Sequence, residues 1–220
     1  MGSFFGLDSP LMIFLSRLAD IFILNILFLI CCVPVITIGA SATALYTVTL
    51  KMARNEESYM VKGFWKAFKS NFKISTIVWL IMLVLGIILG LDYRITAAFT
   101  GIMGKVMQIA ILIIGTFYTI TMLYLFPYIA RFVNDVKNSL KNALLFSILN
   151  LPYTILIAVI TIAPVFLTFL TGKTLAYGLF IWLFFGFAAI AYVNSLLFRK
   201  IFAKYEPQSE DSSPEQQGAE

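Results

Sequence analysis

Five stretches of this chain run for eighteen residues or more without a charged side chain: residues 21–50, 74–91, 106–130, 143–170 and 174–198. An α-helix rises about 1.5 Å per residue, so roughly twenty apolar residues cross the ~30 Å hydrocarbon core of a bilayer. Runs of that length leave one solution. Only helices, or closed barrels with strict alternation, satisfy every backbone group in lipid. The composition agrees, with 60% hydrophobic and 12% charged residues, against roughly 45–50% and about 25% for soluble domains. A water-soluble globule is excluded, and the expected class is all-α, a polytopic helical membrane protein.

The threading follows from proline, glycine and charge. The run 143–170 is too long for one crossing and contains Asn150-Leu151-Pro152. A helix starting near Pro152 leaves 152–170 as the crossing and a shallower piece before it. Pro164 is a further candidate break. The run 21–50 exceeds one crossing but is too short for two with a loop, and Pro34 and Gly39 interrupt it. Asp8-Ser9-Pro10 reads as a helix start, with Ser9 as cap and Pro10 in the first turn. The first helix then ends near Val33, and residues 40–54 form a second. Five crossings are expected, or six if that second helix returns through the bilayer, or a re-entrant segment near 34–50. Residues 1–7 hold no Lys or Arg and so lack the basic start of a cleavable leader.

Lysine and arginine in short loops stay on the cytoplasmic side. Five crossings place twelve of the sixteen basic residues on one face and four on the other, whereas six move Arg17 across and make it thirteen against three. Both place the C-terminus in the cytoplasm. The expected organisation is a helical membrane domain, 1–205, and a disordered acidic cytoplasmic tail, 206–220, reading EPQSEDSSPEQQGAE.

Residues 59–73, YMVKGFWKAFKSNFK, repeat Val61, Phe64, Trp65, Phe68 and Phe72 at helical spacing, with Lys62, Lys66, Lys69 and Lys73 on a neighbouring face. This pattern predicts an amphipathic interfacial helix whose lysines, with Trp65, meet anionic headgroups or a partner. Inside the apolar runs, polar groups are costly in lipid and mark interhelical contacts or a solute path. The candidates are Asn25, Gln108, Asn150 and Asn194, together with Arg17 and Asp20, three residues apart on one helix and expected to pair. Gly86 and Gly90 form a GxxxG spacing suited to close helix packing.

Zero histidines remove the commonest base and metal ligand. Cys31 and Cys32 are adjacent in an apolar run and suit neither a disulfide nor a metal site. No catalytic, cofactor or metal residues are expected, no nucleic-acid binding, and no enzyme activity.

Asp8-Ser9-Pro10, the PVITIGAS segment of residues 34–41, Ala44-Leu45-Tyr46 and the basic residues 64–73 together resemble the YesL-like membrane proteins of Gram-positive bacteria, a group of uncharacterised function. The resemblance covers the N-terminal third closely and the later spans in hydropathy. It implies a multi-pass plasma-membrane protein, often encoded among genes for carbohydrate uptake, and brings no catalytic residues. The functional expectation is an accessory role in carbohydrate uptake, partnered by the lipid bilayer and a membrane protein such as a sugar permease. The alternative is a structural, assembly or sensing module that binds a protein partner and moves no solute.

Overall fold

The computed structural model describes residues 10–56, 59–99 and 101–205, all of them in helices or short connections. Eight α-helices follow in order: α1 Pro10–Cys32, α2 Ile38–Ala53, α3 Met60–Ala97, α4 Ile102–Arg131, α5 Val136–Leu149, α6 Leu151–Thr168, α7 Gly172–Ile181 and α8 Phe187–Phe202. A 3₁₀ turn, Val35–Thr37, joins α1 to α2, and a π-helical turn, Trp182–Gly186, makes α7 and α8 one interrupted helix. The tail 206–220 and the Ser9 cap lie outside the described residues.

The fold is all-α and polytopic, with six helices among the described residues long and apolar enough to cross a membrane: Leu11–Cys32, Val35–Ala53, Met60–Ala97, Ile102–Arg131, Leu151–Thr168 and Gly172–Phe202. Five crossings are expected first because the run 21–50 is too short for two crossings with a loop; the second of these six is also the least apolar. Its position explains the composition. α2 packs against α1, α3, α4 and α8 at the centre of the bundle, and 56% of the residues across its span are buried, against 11–17% in the other five. A helix that never faces lipid has no need to be greasy, and its hydroxyls are satisfied locally. Ser41, Thr43, Thr47 and Thr49 each donate to the carbonyl four residues back, at 2.8–3.0 Å.

Two apolar clusters meet on α2. Leu50 joins Val78, Met82, Tyr124, Leu125, Ile157 and Phe198, while Ala44, Leu45, Val48 and Met52 join Leu24, Phe64 and Ala188. Outside them the apolar side chains point outward, as lipid allows. Phe14, Ile87, Leu112, Ile155 and Phe166 are each about half exposed or more.

The α1–α2 hairpin returns to the side it started from. Arg17 donates to Asn55 Oδ1 at 2.8 Å, just past the end of α2. Arg17 therefore lies at the same end of the bundle as the basic segment that follows α2. At the opposite end the Trp79 indole N–H donates to the Val35 carbonyl at 2.8 Å. α3 continues eighteen residues beyond Trp79, about 27 Å at helical rise, so this hairpin is much shorter than the one formed by α3 and α4.

Three expectations about local breaks are corrected. Gly39 does not break a helix; it is the second residue of α2 and a packing site, described below. Pro164 lies inside α6, which continues to Thr168, with the Thr168 hydroxyl bonded to the Pro164 carbonyl at 2.8 Å. Residues 59–73 do not form a separate interfacial helix. They are the first turns of α3, 38 residues long, because nothing between Lys73 and Ile74 interrupts helical geometry. Pro34, before the 3₁₀ turn, and Pro152, in the first turn of α6, mark real boundaries. The piece before Pro152 is a separate helix, α5, whose small face of Ser139, Ala143 and Ser147 is buried.

Candidate functional site

A seam of polar side chains crosses the bundle interior. Thr43 and Ser75 pair at 2.8 Å between α2 and α3, and Thr49 and Ser195 pair at 2.8 Å between α2 and α8. The Asn194 amide donates to Thr161 at 3.0 Å, tying α8 to α6. In lipid such bonds hold helices together, because the hydrophobic effect no longer distinguishes one apolar face from another.

The π-turn is the most heavily bonded point of the seam. A π-turn widens the helix and misaligns its carbonyls. Asn25 on α1 meets that irregularity directly: its Nδ2 donates to the carbonyls of Trp182 and Leu183 at 3.1 and 2.8 Å, and its Oδ1 accepts from Ala188 N–H at 3.0 Å. Asn25 is fully buried. The Trp182 indole N–H donates to the Thr168 hydroxyl at 2.9 Å, so α6 supports the same turn from the other side. A cavity of about 190 Å³ lies against it, lined by Tyr46, Thr161, Trp182 and Phe187 among others.

On the basic side, an open cleft of about 580 Å³ is lined by Arg17, Asp20, Asn55, Glu56 and Tyr59. Arg17 does not pair with Asp20 as the spacing suggested. Its guanidinium reaches Tyr192 OH at 3.0 Å and Asn55 instead, because tertiary partners converge on it from α8 and from the end of α2. Arg199 caps the same region by donating to the Ala53 carbonyl.

The four lysines of α3 share one outward face. Lys62, Lys66, Lys69 and Lys73 are exposed, as is Trp65, while Phe64, Ala67 and Ser75 on the opposite side of the helix are buried. Phe64 stacks on Phe68, and both pack into the α2 cluster. The remaining polar candidates stay local or pair singly. Asn150 donates to the Phe146 carbonyl at 3.0 Å, and Gln108 reaches the Thr96 carbonyl at 3.3 Å.

The two glycines of the GxxxG spacing part company. A Cβ on Gly86 would come within 2.6 Å of the Tyr118 hydroxyl, whereas one on Gly90 would meet nothing within 4 Å. Gly90 opens instead onto a groove of about 570 Å³ between α3, α4 and α6. Gly90→Ala is therefore expected to leave the thermal midpoint in detergent unchanged or raised by a few degrees, since Ala favours a helix by up to about 1 kcal/mol over Gly.

Sequence reading missed the partners of Asn25, the bonds of Trp79 and the packing of Gly39. One signal was present: the run of Ser and Thr at residues 41, 43, 47 and 49 marks a helix shielded from lipid.

Together the bundle, its polar central helix and its basic face define a multi-pass α-helical membrane protein. Residues 21–93, spanning about half of α1, all of α2 and most of α3, match a family described as a protein of unknown function, DUF624. The chain is also 26% identical over 167 residues to "Uncharacterized protein YteU" of Bacillus subtilis (strain 168), covering 76% of this chain and 72% of that one. No solved structure matches the chain. Both similarities lead to uncharacterised proteins, as the resemblance implied, and neither carries the YesL-like name.

Proposed function

We propose that this protein is a non-enzymatic accessory of the plasma membrane that works by binding, holding a membrane partner at its basic face in the service of carbohydrate uptake. The observation that carries the binding role is the row of exposed lysines on α3, flanked by exposed Trp65, on a helix whose other face is locked into the core. Complementary charge sets partner choice and encounter rate, and an adjacent Trp supplies an anchor. The partner class is a multi-pass permease, such as a sugar permease, with an acidic surface at its cytoplasmic side. The bias of thirteen basic residues against three supports a cytoplasmic location for this face and for the C-terminus. Carbohydrate as the solute is supported by the YesL-like resemblance alone, which is an associational argument.

A second reading shares the lysine row: an assembly or sensing module that binds a protein partner without affecting solute movement. Uptake of labelled oligosaccharides separates the two. In cells lacking the gene, uptake is expected to fall, and liposomes holding only the purified protein are expected to show no flux. Replacing Lys62, Lys66, Lys69 and Lys73 together by Gln is expected to lower uptake as far as deletion does, at unchanged protein level in the membrane. Flux in liposomes would make the protein a transporter itself, and unchanged uptake on deletion would leave the second reading.

A further inference from the structure

From Ile74 to Ala130 the chain carries three charges, Asp92, Arg94 and Lys105, all of them at the end where α3 gives way to α4. The two helices run antiparallel. Near that end the Gln108 amide donates to the Thr96 carbonyl at 3.3 Å, and further in the Tyr118 hydroxyl donates to the Met82 carbonyl at 3.0 Å. Beside these ties the groove of about 570 Å³ runs along α4 from Ile111 to Leu123, with Ala158 and Ile162 contributed by α6. A Cβ on Gly90 or on Gly115 would meet nothing within 4 Å, so no protein atom fills the space that these two lining glycines leave. The depth of the groove is apolar. The Thr116 and Thr119 hydroxyls in it donate to carbonyls of their own helix, Leu112 at 2.9 Å and Gly115 at 2.8 Å. With those donors used, a polar solute entering the depth would lose its water without compensation, whereas a hydrocarbon chain loses nothing. From Ile111 to Leu123 is about 18 Å along the helix, close to the ~15 Å of hydrocarbon in one leaflet.

One end of the groove is positively charged. Lys105 stands two helical turns before Leu112, on the face of α4 that lines the groove, and Arg94 stands one turn beyond Gly90 on α3. Tyr93 lines the groove at the same end. All three side chains are exposed, and neither cation is in an ion pair among the described residues. Asp92 is two residues from Arg94 and so on the opposite side of α3. An apolar groove as long as a leaflet is thick, with two unpaired cations and a phenol at its mouth, complements an anionic headgroup joined to an acyl chain.

We propose that this groove binds one anionic phospholipid, its acyl chain lying along Gly90 and Gly115 and its phosphate held by Arg94 and Lys105. The site is at the other end of the uncharged stretch 74–91 from the lysine row, and it stands whether or not that row holds a partner. The glycines give the chain its depth, and the two cations select the headgroup.

The test is native mass spectrometry of the full-length protein, delipidated in detergent and titrated with phosphatidylglycerol or with phosphatidylcholine of the same acyl chains. Phosphatidylglycerol is expected to bind at one site about tenfold more tightly or better, the effect of two basic side chains beside one anionic headgroup. In the double variant Arg94→Gln/Lys105→Gln that preference is expected to disappear. Gly115→Leu, whose side chain has room in the groove, is expected to weaken both lipids severalfold by filling the space of the acyl chain. A photoactivatable diazirine at the middle of the acyl chain should label residues 111–123. Equal affinity of the unaltered chain for the two lipids would overturn the proposal. So would a preference that survives the loss of Arg94 and Lys105, by placing the headgroup at the lysine row, or unchanged binding by Gly115→Leu. A dimer that persists without lipid and that Gly115→Leu dissociates would overturn it too, by giving the groove to a second copy of the chain. The comparison of the two lipids uses the unaltered chain, so a folding defect in a variant cannot decide the outcome.

Discussion

Gly39→Ala is expected to destabilise the protein by about 3 kcal/mol, the upper part of the range for forcing a methyl into a filled site. In a chain of this size that lowers the thermal midpoint by roughly 6–12 °C. A Cβ at residue 39 would lie 2.5 Å from Trp79 Cβ and press on the Ser75 carbonyl oxygen. Neither neighbour gives way cheaply, since one is backbone and the other is the root of a side chain whose indole is bonded to Val35. α2 and α3 would have to separate, and the Thr43–Ser75 pair with them. The measurement is thermal unfolding in detergent, with Gly90→Ala as the matched control. The two substitutions are chemically identical and differ only in what surrounds them. Equal midpoints for both variants would show that close approach at Gly39 contributes nothing.

Asn25→Leu is expected to be comparably damaging, although the substitution is nearly isosteric and makes α1 more lipid-soluble. Three hydrogen bonds to the π-turn are lost. Interhelical bonds in membranes contribute about 0.6 kcal/mol each on average and up to about 1.7, and leaving the freed carbonyls buried adds to the cost. A total of roughly 2–4 kcal/mol follows, or on the order of 10 °C. Below α8's start the Thr49–Ser195 and Asn194–Thr161 pairs depend on the phase that the π-turn sets, so their removal should matter less once Asn25 is gone. A double-mutant cycle between Asn25→Leu and Thr49→Ala reads that coupling. Asn150→Leu, which loses chiefly a bond to its own helix, is expected to cost about 1 kcal/mol. A midpoint for Asn25→Leu at or above that of the unaltered protein would mean that the π-turn persists without its clamp.

Much of the bundle was legible residue by residue. The α6 boundary at Pro152 and the separate piece before it, α5, follow from local rules about proline, and the structure has them where the sequence put them. Gly39 and Pro164 show where such rules stop. Both are helix breakers by composition, yet both sit inside helices, because the surrounding packing outweighs an intrinsic preference of a few kcal/mol or less. The amphipathic stretch 59–73 shows a second limit. Its pattern correctly predicted a helix, but the apolar face divides: Phe64 and Phe68 meet α2 where lipid had been expected, while Val61, Trp65 and Phe72 stay exposed. Periodicity reports that a face will be covered and says nothing of what covers it.

The sequence by itself determined that the chain lives in a bilayer, how long its apolar helices are and which loops carry the positive charge. These are sums over neighbouring residues, and hydropathy and charge add locally. Only the tertiary structure decided that α1 and α2 return as a hairpin, that Arg17 turns from Asp20 to Asn55 and Tyr192, and that Asn25 clamps a π-turn some 160 residues away in the chain. Those outcomes depend on which helix becomes the neighbour of which. In lipid that choice rests on close contacts and hydrogen bonds between distant residues, where apolar faces are interchangeable.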